Sequence, residues 1–101
     1  MGVACEAILW LGRYEQAVIS CERAKGSNGN DWMIDLLLAS AYGQLGEVAK
    51  AGTAKAEVLR AVPGYSIGTH KARRYSANPE YVRLAEEHLY AGMRKAGFAE
   101  N

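Results

Sequence analysis

The apolar positions along this chain fall into several distinct patterns, and each pattern marks an element. Residues 3–11, VACEAILWL, are apolar on nearly every side and stop at Gly12, which has the backbone freedom a helix-to-helix turn needs. From Tyr14 to Lys25 the apolar residues Tyr14, Ala17, Val18, Cys21 and Ala24 form one stripe, with Glu15, Gln16, Glu22 and Arg23 opposite. That is the pattern of a half-buried helix. GSNGND is the most turn-rich stretch, and Asp31 is placed to cap the next helix. Between Trp32 and Gln44 the apolar residues surround the axis, so this helix should be enclosed on several sides. Its partner, Glu47 to Arg60, is one-sided, with Val48, Ala51, Ala54, Val58 and Leu59 inward and Lys50, Lys55 and Glu57 outward. Pro63 ends it.

YSIGTHKARRY then reads as a weak, short helix with Gly68 inside it. Asn78 before Pro79 is a strong start signal for the last helix, since Asn caps well and Pro is pre-set for the first helical position. This helix should run to about Ala96, bury Val82, Ala85, Leu89 and Met93, and stop at Gly97-Phe98 in a Schellman motif with Phe98 folded back on Met93.

The pattern also repeats. Leu11-Gly12 and Leu45-Gly46 are 34 residues apart, as are Ala17, Ala51 and Ala85, and a helix-turn-helix unit of about that period is the signature of a tetratricopeptide (TPR) array. LGRYEQAVISCERA and QLGEVAKAGTAKAEVLRAVPG resemble TPR repeats, with a glycine at the turn and an alanine where paired helices touch. The resemblance implies an all-α, right-handed stack of antiparallel helical hairpins, a TPR-like α-solenoid of about six helices, forming one domain over 1–101. Residues 1–31 would be a partial repeat, 32–65 a full one, and 66–101 a degenerate repeat with a capping helix. In that register the first helix is incomplete, so the chain reads as starting inside a longer array. The third unit departs from the pattern, with Glu80 at the turn-glycine position and Arg73 where Ala39 makes its crossing. A different turn and a looser first helix are expected there. The tail from Ala61 to Glu100 is similar to the end of TPR regions that follow class III adenylate or guanylate cyclase domains in bacteria, which implies a regulatory segment of a larger signalling protein.

TPR arrays bind extended or helical peptides in the concave groove formed by the first helix of each unit. The resemblance puts Glu6, Leu9, Trp10, Met33, Leu36, Ser40, Gln44, Ile67, His70 and Arg74 there, with an apolar centre and a basic third unit. Met33 and Leu36 also read as plain core beneath the short fifth helix. Lys71, Arg73 and Arg74, beside His70 and Tyr75, form a basic cluster that could grip carboxylate or phosphate, although such a run is also what a solvated face looks like. The carboxylate clamp of chaperone-binding TPR domains is missing: Gly2, Glu6, Leu36, Ser40 and Ile67 stand at its positions, and Lys71 is the one basic match.

Composition narrows the function further. A chain of 101 residues, 50% hydrophobic, can hold one core. Four basic and six acidic residues in 1–50 against eight and five in 51–101 is too mild a polarity for a phosphate-backbone footprint, so no nucleic acid is expected. No apolar run is long enough to span a membrane. Cys5 and Cys21, 16 apart without a Cys-x-x-Cys pair, suggest neither a zinc site nor a disulfide framework and read as small core residues of a reduced, cytoplasmic protein. His70 and His88 lack ligand spacing, and no nucleophile elbow, phosphate loop or facing carboxylate pair is present. No cofactor, no metal and no enzymatic activity are expected. The sequence therefore reads as a protein-protein interaction module: a partner's apolar side chains would settle on Trp10, Met33 and Leu36, while His70, Lys71 and Arg74 orient an acidic group. The rival reading is a structural, self-associating homodimer in which a second copy covers the flank left open by the incomplete first helix.

Overall fold

The computed structural model describes residues 3–27, 32–72 and 79–101, and these are helix and turn without strand. Two hairpins come first. α1 (Val3–Trp10) turns into α2 (Tyr14–Ser27), and α3 (Trp32–Leu45) into α4 (Val48–Ala61). The two turns are built alike: Gly12 and Gly46 take φ of 75° and 76°, the left-handed region that glycine enters without a steric cost. At the first, Gly12 N–H donates to Leu9 O and Arg13 N–H to Ile8 O; at the second, Gly46 N–H donates to Gly43 O and Glu47 N–H to Tyr42 O. Both are Schellman motifs, which satisfy carbonyls that a helix end would otherwise leave unpaired. Ala17 and Ala51, 34 residues apart, are fully buried.

α3 is the hub, packed against α1, α2, α4 and the terminal helix. Every residue from Ile34 to Ala41 is buried, as expected of a helix apolar on all sides. The one charge in that run, Asp35, has Lys25 Nζ 2.9 Å from its Oδ1. The carboxylate stabilises the ammonium, so the Lys25 pKa is raised.

α5 (Ile67–Ala72) is short, and the chain end holds it in place. Ser66 caps it by accepting from Thr69 N–H at 3.1 Å, while Ile67 and Gly68 N–H donate to the carbonyls of Ala99 and Glu100. The terminal helix is one rod made of α6 (Pro79–Leu84), a π-helical turn (Ala85–Tyr90) and α7 (Ala91–Ala96). It ends as the sequence predicts: Gly97 has φ 98°, Gly97 N–H donates to Arg94 O, and Phe98 N–H donates to Met93 O. Met93 and Phe98 belong to the same buried cluster.

Four expectations need correction. Val82 is half exposed; the π turn winds by i→i+5 bonds, so the burial stripe of the residues after it does not extend back to Val82 in α-helical register. Val48 is 74% exposed, because it is the first residue of α4 and sits at the turn rather than over α3. Cys5 and Cys21 are paired as a disulfide with their Cα atoms 5.2 Å apart. Closing α1 on α2 through the three residues 11–13 brings residues 16 apart to one crossing, where the separation suits a disulfide. Gly26 and Ser27, the start of the expected GSNGND turn, continue α2 instead; the rest of that turn with its Asp31 cap, the Asn78 cap, and Arg73, Arg74 and Tyr75 lie outside the described residues.

Candidate functional site

The face of α1 and α3 where the sequence places a groove is covered by the chain's own terminal helix. The approach to α3 is close because both helices carry a glycine at the crossing. A Cβ on Gly43 would lie 2.3 Å from Gly92 O, and a Cβ on Gly92 would lie 2.2 Å from Ser40 Oγ. Any side chain there would force the helices apart.

Polar groups lock the crossing. Ser40 Oγ, fully buried, lies 3.0 Å from His88 O and 2.9 Å from Leu89 O, so its single proton is shared between two carbonyls of the π turn. Gln44 Nε2 reaches Glu87 O at 3.1 Å and His88 O at 3.2 Å, and its Oε1 accepts from Lys95 Nζ at 2.9 Å. In i→i+5 winding the carbonyls are displaced from their α-helical partners, which makes them available to side chains from another helix. At the far end of the crossing, His88 sits against the first turn. Its Nδ1 is 2.8 Å from Tyr14 Oη, and a Cβ on Gly12 would come within 3.3 Å of its ring. Burial raises the Tyr14 phenol pKa, and the Glu87 charge adds to this.

The predicted groove residues divide by this contact. Leu9, Leu36 and Ser40 are fully buried, and Gln44 is half-buried with its amide engaged as above. Glu6, Trp10 and Met33 are partly exposed, and burial raises the Glu6 carboxyl above its ordinary pKa. Ile67 and His70 are buried. His70 Nδ1 is 2.6 Å from Tyr65 Oη, and its ring stands edge-on to Tyr90. Lys71 is exposed, 3.5 Å from Glu86 Oε2 and 5.0 Å from the centre of the Tyr90 ring. Arg74 lies outside the described residues. Ser40 and Gln44 of α3 and Lys71 of α5 thus all touch the terminal helix, and buried His70 meets it through Tyr90.

Gly43, Gly92, Tyr14 and His88 were missed as parts of this contact. The glycines did leave a signal: each costs about 1 kcal/mol against Ala inside a helix, and such a cost often marks a close backbone approach. A cleft of about 310 Å3 runs between α2 and α4 above Leu38 and Tyr42. Its polar groups largely satisfy one another: Tyr42 Oη donates to Glu22 at 2.9 Å, and Lys25 holds Asp35.

Compared with known proteins, the chain matches no family model, no curated sequence and no solved structure. Among the described residues, no helix is long and apolar enough to cross a membrane.

Proposed function

We propose that this chain is a protein interaction module whose α1–α3 face receives a helical segment. What carries the reading is the terminal helix itself. It supplies the features the sequence assigns to a partner: apolar side chains, Leu89 and Met93, buried in the same cluster as Leu9 and Leu36, and an acidic group, Glu86, at Lys71. Trp10, Met33 and Glu6 form the margin where a partner would first make contact, and Lys71 with Arg74 would orient its acidic side chain. By the resemblance to TPR regions behind class III cyclases, the module would serve as a regulatory or scaffolding part of a larger bacterial signalling protein.

Site-specific photocrosslinking tests this. A crosslinker at Trp10 is expected to yield a discrete adduct with a second protein in cells, and the same group at Ile19, on the outer face of α2, is expected not to. Equal labelling from both positions, or from neither, would contradict the reading. The observation favouring self-association is that Leu11 and Ile19 of the first hairpin are 67% and 55% exposed. A homodimer on that flank would sediment as a dimer at micromolar concentration, and would crosslink from Ile19 to its own chain.

A further inference from the structure

We infer that the terminal helix is a resident ligand, and that the partner recognised by this face is an amphipathic helix carrying the same pattern: an acidic residue, an apolar residue three positions on, then glycine and a second apolar residue six and seven positions on. This deepens the interaction reading and rests on it.

The pattern is taken from Glu86, Leu89, Gly92 and Met93, and each position has a physical reason. Glu86, exposed enough to act early in an encounter, meets Lys71 across the contact at 3.5 Å with one oxygen and Arg94 of its own helix at 2.9 Å with the other. Leu89 and Met93 are buried in the core cluster. The glycine is the selective element, because the site opposite it is Ser40 backbone and hydroxyl, with 2.4 Å from the Ser40 carbonyl oxygen to a would-be Cβ. Backbone there cannot yield as a flexible side chain would. Ser40 and Gln44 add donors that read main-chain carbonyls. They would therefore accept any sequence able to present them.

The first unit cannot offer this site. At the positions equivalent to Ser40, Gly43 and Gln44 it carries Glu6, Leu9 and Trp10, so it packs on the π turn through side chains and has no glycine to admit a backbone. The backbone-to-backbone part of recognition is therefore confined to α3. A tethered helix also faces its site at an effective concentration of about millimolar, so an outside helix must outcompete it.

The test uses the full chain and a labelled peptide of sequence 79–101 as probe, read by fluorescence anisotropy. Wild-type protein should bind the peptide weakly. Glu86→Lys in the protein, which loosens the resident helix at an exposed ion pair, should tighten peptide binding about 3-fold. Gly92→Leu in the protein should tighten it roughly 100-fold, while a peptide that itself carries Gly92→Leu should not bind any of the proteins. If the Gly92→Leu protein loses its cooperative melt, the wild-type peptide should restore it. Failure of rescue overturns the inference, as does unchanged affinity in folded variants. A Gly92→Leu dimer that excess peptide does not dissociate would assign the face to a second copy instead, and would also overturn it. A Trp10 adduct with no peptide effect rejects the resident-ligand inference alone; loss of both rejects the interaction reading as well.

Discussion

The two glycine-ended hairpins and the terminal helix are held by different means. In the hairpins, sequence neighbours pack through alanines after a Schellman turn, and the 34-residue spacing reproduces the turn almost degree for degree. The terminal helix returns from distant sequence to lie on α3, and it is held by a glycine–glycine approach with hydroxyl and amide donors aimed at a π turn. The difference teaches that spaced glycines and alanines specify the local hairpins, while the face the hairpins present is decided by residues that differ between them. Ser40, Gly43 and Gln44 have no likeness to Glu6, Leu9 and Trp10.

The sharpest way to separate the two regions is to add a methyl group. Alanine in place of glycine within a helix ordinarily stabilises by up to about 1 kcal/mol. At Gly43 the sign should reverse, because the new Cβ would meet Gly92 O at 2.3 Å. Gly43→Ala should lose about 3 kcal/mol or more by overpacking against backbone, read as a fall in urea midpoint. Its control is Gly52→Ala on α4, where nothing lies within 4 Å of the added carbon; that variant should gain about 0.5–1 kcal/mol.

Reduction acts on the other region. The Cys5–Cys21 bond closes a loop of sequence separation 16 within the first hairpin, and its loss should cost about 2–3 kcal/mol. The check is a thermal melt with and without dithiothreitol, with a Cys5→Ser, Cys21→Ser double variant insensitive to the reductant. A smaller effect, about 1 kcal/mol, is expected for Ser40→Ala, which removes the donor shared by His88 O and Leu89 O. The loss should appear as faster amide exchange in the terminal helix before the hairpins are affected.

The smallest effect concerns pH. Burial first, and then the bond to Glu22, pushes the Tyr42 phenol up to about 12. A phenol whose folded pKa exceeds its unfolded value of about 10 stabilises the fold fully below that value. The contribution is lost as pH rises through the folded pKa, so stability should decline between pH 10 and 12. A tyrosinate absorbance titration of wild type against Tyr42→Phe checks this; a curve with no late-titrating group contradicts it.

The hairpins were legible in the sequence because their signals are local: apolar period, turn glycines, and the Gly97-Phe98 stop. The crossing was not, because Gly43 and Gly92 report a close approach without saying to what. The π turn has no compositional mark in AEEHLY, and it altered the register enough to expose Val82. Of the α3 positions named for a groove, Ser40 and Gln44 bond to the terminal helix, while Leu36 is core and Met33 is partly exposed. His70 is buried between Tyr65, which its ring bonds, and Tyr90 of the terminal helix, a pairing that helical spacing alone would not reveal.

The central claim is that α3 meets the terminal helix backbone to backbone at Gly43 and Gly92. Nuclear Overhauser contacts from the Gly92 α-protons test it most directly. Strong cross-peaks to Ser40 and Gly43 are predicted; their absence, with Gly92 in contact only with solvent or its own helix, would contradict the account.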